Sequence, residues 1–357
     1  MKKLLQLFIA GIILSAILLY AIQAMNESQG YSGENTLTIY NWGNYIDMDL
    51  IKQFEKETGV NVIYETFDSN EAMLTKIQQG GTTYDIAVPS EYMIDKMREE
   101  DLLIPLDHRK LPNLNNIDDR FMDLPFDPGN KYSIPYFWGT VGIAFNPELL
   151  PNKTFTSWND LWDPALKNEI LLVDGAREVI GMGLNSLGYS LNDTNKQHLQ
   201  EASQKLETLT PNIKAIVGDE NKLLMQNNEA AIAVLWSGDA ADIMWENEAI
   251  DYVVPKEGSN LWFDNMVIPK TVKNIEAAHQ FINFMLDPEI AAQNTEYVAY
   301  STPNKAALSY MDEEMVNDER FYPPPELTEK LEVYKNLGPK MLSYYNDLFL
   351  EFKMHPK

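Results

Sequence analysis

The chain has 357 residues, 45% of them hydrophobic, with no cysteine and a net charge of −25 at neutral pH. That length fits about two domains of roughly 100–200 residues, and the apolar content excludes a disordered chain. The charge excludes nucleic acid as a partner, because phosphate binding needs a basic surface; the missing cysteines exclude disulfides and thiolate metal sites. At the N-terminus, Lys2 and Lys3 precede an apolar run from Leu4 to about Met25. A secretory core is typically about 7–15 residues and a membrane span about 20. The run therefore fits an uncleaved signal-anchor better than a cleaved signal peptide, although Ala21–Ala24 offers small residues for cleavage. The lysines keep the short end cytoplasmic, so the body is expected to be exported, at the cell surface or secreted. Asn26–Glu34 reads as a tether, making residues 1–34 one unit attached to the membrane. Lys2 and Lys3 balance Glu27 and Glu34, so the whole net charge lies in the exported body, where it favours capture of cations by long-range attraction.

Leu37–Trp42 is rich in β-branched and aromatic residues and predicts a strand. Asp47–Glu57 predicts a helix, closed by Thr58-Gly59. NVIYETF is the next strand, followed by a helix over Glu71–Gln79 that Asn70 caps and Gly80-Gly81 stops. YDIAVPS and Glu91–Glu99 continue the strand–helix alternation, which predicts a parallel sheet covered by helices. Ser133–Phe145 reads as strands crossing between lobes. The alternation then repeats through ILLVDG, helices at Arg177–Leu187 and Asn195–Leu209, and AAIAVLW, and LWFDNMVIP returns as a strand. A helix over Asn274–Leu286 places Ile275, Ala278, Phe281, Ile282 and Met285 on a buried stripe. A last helix from about Pro339 has Leu342, Tyr345, Leu348, Phe349 and Phe352 on one face, suited to packing on a lobe.

Ligands in such sheets bind at the carboxyl ends of strands, and several tryptophans and carboxylates fall there. They are Trp42, Glu178, Trp236, Trp262 and Asp264, with Ser90 and Tyr92 after the third strand. Aromatic faces attract ammonium groups and cover methylenes, while carboxylates fix the charge, so a polyamine is the ligand these residues suggest. Trp138 belongs either to the cleft or to the hinge. Trp158, Trp162 and Trp245 read as packing, and Ser90 also suits the N-cap of the helix that follows it. The four histidines (His108, His198, His279 and His355) lack metal-binding spacing. GxGxxG, P-loop and GxSxG motifs are absent, so neither metal nor cofactor is expected.

The motifs YNWGNYI, QFEKETGVNVIYETFDSNEAM, YDIAVPSEYMIDKM, FDPGNKYSIPYFWGT, TSWNDLWDP, DGAREVIGMGL, VVPKEGSNLWFDNMVIP and STPNKAA occur in this order. Through them the chain, from about Leu37 to its end, resembles the bacterial spermidine/putrescine-binding proteins of ABC importers. The resemblance implies an α/β periplasmic-binding-protein-like fold: two lobes, each a mainly parallel sheet flanked by helices, that close like a flytrap. It implies lobe one over 35–140 and 266–308, lobe two over 141–265, and a 309–357 segment packed on lobe two. It implies a monomeric, non-enzymatic receptor that captures polyamine and delivers it to an ABC permease. The ligand residues carried over by motif are Trp42, Tyr45, Ser90, Tyr92, Glu178, Trp236, Asp239, Trp262, Asp264 and Tyr300. Three positions depart from the family pattern and are weaker candidates. Asn44 stands where a glutamate is frequent, Tyr334 where a glutamine is found, and Asp174 lies one step before Gly175, which replaces an acid. Asp239 stands where the spermidine binders carry serine and resembles the putrescine-preferring branch. The competing readings are a receptor of the same fold for another small solute, or an extracellular glycosidase using paired carboxylates.

Overall fold

The computed structural model describes residues 35–218 and 220–355. The signal-anchor and tether assigned to residues 1–34 lie outside the described residues. Among the described residues, no helix is long and apolar enough to cross a membrane.

Nine strands form the sheet: β1 (Thr36–Trp42), β2 (Asn61–Phe67), β3 (Ile86–Ala87), β4 (Ser133–Phe145), β5 (Ile170–Val173), β6 (Ile213–Val217), β7 (Ile232–Trp236), β8 (Asp251–Val253) and β9 (Leu261–Val267). Their order is β2-β1-β3-β9-β4-β7-β5-β6, with β8 also beside β4. β1 runs parallel to β2 and β3, and β5 runs parallel to β6 and β7. The expected parallel character thus holds on both outer flanks. β4 and β9 enter antiparallel, because each crosses the middle of the molecule rather than returning over a helix.

β4 links the two lobes. All thirteen of its residues are buried, as a strand covered on both faces requires. Ser133–Thr140 pairs with β9, and from Val141 onward β4 pairs with β7. One core gathers Leu37, Ile39, Phe54, Ile86 and Phe281 around the β9 side. A second holds Val141, Ile143, Val179 and Leu206 around β5 and β7. The terminal helix, Gly338–Met354, buries Tyr345, Leu348, Phe349 and Phe352 in this second core.

The helix ends follow local chemistry. Asp47 caps the Met48–Thr58 helix, and Gly59 ends it in the left-handed region at φ 72, where glycine carries no Cβ penalty. The next helix, Asn70–Gln79, is capped by Ser69, whose side chain accepts from the Ala72 N–H. Asn70, expected as the cap, is instead the first helical residue, and its buried amide is used elsewhere. Ile275 also departs from its expected stripe: at the exposed start of its helix it faces solvent, while Ala278, Phe281, Ile282 and Met285 are buried. Trp245, expected to pack, is 86% exposed. Trp138 lies in the core, its indole N–H donating to the Thr302 carbonyl beneath Phe121 and Tyr322.

Candidate functional site

Residues that follow β1 and β3 meet Asp264 of β9, the turn after β7 lies against Tyr300, and Glu178, after β5, acts on Tyr92; together they outline one crevice. After Trp42, the chain turns through Asn44, exposed and left-handed at φ 53. That turn sends Tyr45 back inward, where its hydroxyl donates to Asp264 Oδ2 at 2.6 Å. Ser90 donates to the other oxygen, Oδ1, at 2.7 Å. Ser90 stands at an N-cap position, yet its hydroxyl makes no cap bond; β9 brings Asp264 within reach and the carboxylate is the stronger acceptor. Asn70 locks this corner. Its Oδ1 accepts from the Ser90 N–H, and its amide donates to Ser90 Oγ and Tyr92 Oη.

Asp264 is buried, and burial raises its pKa to about 6, opposed by the Tyr45 and Ser90 hydroxyls alone. An aromatic wall runs away from it. Tyr45 meets Tyr300 edge-on at 5.5 Å, and Tyr300 meets Trp262 edge-on at 5.1 Å. Two glycines make this wall possible. A Cβ on Gly238 would lie 1.7 Å from a Tyr300 ring carbon, and one on Gly139 would lie 2.4 Å from the Trp262 indole. Trp236, at the end of β7, is half-buried and touches both cores. Trp42 is half-buried against Phe67 at 4.5 Å.

Glu178 lies in the first turn of the Ala176–Ser186 helix. Gly175 gives it room: a Cβ there would sit 2.1 Å from Glu178 Oε2. Burial raises the Glu178 pKa, while its own backbone N–H, Arg177 and the Tyr334 hydroxyl oppose the rise. Tyr334 is buried beneath the Arg177 guanidinium, 4.1 Å from its ring centroid. Tyr92 feels the Glu178 charge from across the crevice.

The other two acids are differently placed. Asp174 turns to the terminal helix, where Lys353 Nζ lies 2.8 Å from each carboxylate oxygen. Asp239 opens the Ser237–Glu246 helix and pairs with Lys222 Nζ at 2.8 Å, with Tyr300 donating to it at 3.3 Å. A connected set of contacts thus joins Tyr45, Ser90, Tyr92, Asp239, Trp262, Asp264 and Tyr300, and Glu178 and Tyr334 are coupled to it electrostatically, while Trp42 packs on Phe67 and Trp236 on the two cores. Asp174 is directed elsewhere, and Asn44 stays at the rim.

Two acids escaped the sequence reading. Glu91 is fully buried; Oε2 accepts from the Phe263 N–H at 3.0 Å, and Oε1 has no partner among the described residues. Burial drives its pKa up to about 8, so it is neutral at pH 7. Glu71, beside Asn70, accepts weakly from Tyr92 at 3.4 Å and acts on Glu178 through space. Its place in DSNEAM, one residue after the locking asparagine, was the available signal.

The fold and this crevice define a class. Residues 49–322 match the bacterial extracellular solute-binding proteins, and the chain belongs to that family. Among curated relatives, the spermidine/putrescine-binding periplasmic protein of Escherichia coli (strain K12) is 40% identical over 332 residues, covering 92% of this chain and 95% of that one. Among solved structures, the putative spermidine/putrescine ABC transporter protein from Listeria monocytogenes is 68% identical, with a TM-score of 0.85 over 90% of this chain and all of that one. The spermidine/putrescine ABC transporter substrate-binding protein of Streptococcus pneumoniae is 59% identical, with the same TM-score and coverage.

Proposed function

We propose that this chain is the polyamine receptor of an ABC importer, binding putrescine or spermidine between its lobes and delivering it to a membrane permease. One observation carries the reading: Asp264 is a buried carboxylate whose own partners are hydroxyls, set at the foot of an aromatic wall. A buried carboxylate calls for a cation or a proton. An alkyl ammonium supplies the cation, and its methylenes lie against the rings. A desolvated cation–π contact is worth about 2 kcal/mol and a charge-assisted hydrogen bond about 1.5–3 kcal/mol. A few of each, less ordering and desolvation costs, give micromolar binding or better, about −8 kcal/mol.

The ligand contacts in this reading are Trp42, Tyr45, Ser90, Tyr92, Glu178, Trp236, Asp239, Trp262, Asp264 and Tyr300, with Tyr334 supporting Glu178. Residues 35–140 and 266–308 move as one body, and 141–265 with the 309–357 segment as the other; closure is a hinge motion about the crossing strands. The chain works as a monomeric receptor and not as an enzyme, held at the membrane by residues 1–34. The names of its relatives support the ligand class.

The test is a thermal-shift panel of polyamines, sugars and anions, since a ligand of the native state raises the melting temperature. Putrescine or spermidine should raise it at micromolar concentration, and sugars and anions should not. A shift with a sugar or an anion alone sinks the proposal.

A further inference from the structure

Besides Glu71, exposed beside Tyr92, three carboxylates mark the length of the cleft. Glu178 acts on Tyr92, and Tyr92 joins Ser90 through Asn70. Ser90 in turn holds Asp264. From Asp264 the wall passes through Tyr45 to Tyr300, whose hydroxyl reaches Asp239. Followed through these contacts, the order is Glu178, Asp264, Asp239. Among the described residues, only the last of the three is met by a lysine: Lys222 Nζ lies 2.8 Å from Asp239 Oδ1, and 3.7 Å from Asp242 Oδ2. The pair sits inward. The Asp239 side chain is 7% exposed and that of Lys222 is 33% exposed, whereas Asp242 is 52% exposed.

Resting on the polyamine reading above, we propose that Lys222 is a selectivity residue, a tethered ammonium that occupies the Asp239 end of the cleft and favours ligands with two charged amines. Glu178 and Asp264 balance a diamine. A triamine that reaches Asp239 either displaces Lys222 or brings a third ammonium against it. Like charges at such range in a half-buried site cost binding, and a displaced lysine forfeits its ion pair. Asp239 alone would attract the longer ligand; Lys222 cancels that attraction and leaves Tyr300 in place.

Calorimetric titration of putrescine and spermidine into the full-length chain tests this, using wild type, Lys222→Met, Asp239→Asn and the double variant. Lys222→Met should strengthen spermidine relative to putrescine by about tenfold or more, the scale of one added charge-assisted hydrogen bond. The double variant should return the ratio to that of wild type. Lys222→Gln repeats the measurement with a polar side chain, and melting curves show that each variant is folded. An unchanged ratio in both Lys222 variants, with polyamine still bound, overturns the inference and leaves the receptor reading intact. A wild-type chain that binds neither amine overturns both.

Discussion

Asp264→Asn separates the charge of the carboxylate from its shape. The side chain keeps its size, and the rotatable hydroxyls of Tyr45 and Ser90 can re-pair with an amide. What is lost is a charged acceptor for ammonium, about 1.5–3 kcal/mol, so affinity for putrescine and spermidine should fall by about 10- to 150-fold. The unliganded protein should respond in the opposite sense. Burial raises this carboxyl from 3.8 to about 6. Between those values the folded state holds a proton that the unfolded state has released, so stability falls as pH rises through the window. Above it the ionised carboxylate costs up to about 3 kcal/mol. The asparagine variant lacks that cost and should melt at or above the wild-type temperature at pH 7. Calorimetry at pH 7.5 together with melting of the unliganded protein reads both effects. Wild-type affinity in the variant refutes the site; lost affinity with a much lower melting temperature refutes the charge argument and makes Asp264 structural. Binding to wild type should also weaken below pH 6, by up to about tenfold per unit, and the variant should show a shallower dependence, the part that Glu178 alone contributes.

Glu91→Gln should raise stability at pH 7, since folding loads a proton onto a carboxyl whose pKa rises from 4.5 to about 8, at a cost of up to about 3 kcal/mol. Urea titrations at pH 5, 7 and 9 should show wild-type stability declining between about 5 and 8, while the variant loses the part of that decline above about pH 6 and keeps the smaller fall that Asp264 contributes below it; parallel profiles would count against a protonated Glu91. Trp262→Ala removes one ring of the wall and should weaken polyamine binding by about 2 kcal/mol, roughly 30-fold, measured by calorimetry. Gly238→Ala drives a methyl into the Tyr300 ring, so it should cost about 1–3 kcal/mol of stability and displace the ring from Trp262, with a matching loss of affinity. An undisturbed melting curve in that variant would mean that the ring moves freely.

The strands, helices and crevice were legible because they rest on local signals. Apolar runs ending in Trp42 and Trp236 are strand ends, and strand ends of one direction converge. Gly59 and Gly80 stand where a left-handed residue must close a helix. Side-chain direction was not legible where neighbours compete for one role. Ser69 and Asn70 can both cap a helix; Ser69 takes the cap, and Asn70 goes to the Ser90–Tyr92 corner, which only the tertiary fold creates. Glu91 reads as an ordinary first-turn acid, facing water and favoured by the helix dipole. The Phe263 N–H of β9 draws it inward instead.

The charge of the cleft therefore differs from a count of nearby acids. Asp174 and Glu178 are four residues apart, yet one meets Lys353 on the terminal helix and the other folds over Gly175 toward Tyr334. Asp239 meets Lys222, and Glu91 is neutral at pH 7. Glu71 stands exposed beside Tyr92, which leaves Glu178 and Asp264 as the two less exposed charges that no lysine among the described residues meets. Both carry carboxyls raised by burial, a cost that an arriving ammonium removes. Unliganded, the site is held above its lowest free energy by the burial of its own carboxylates. That strain gives a doubly charged amine its advantage over neutral solutes of the same length.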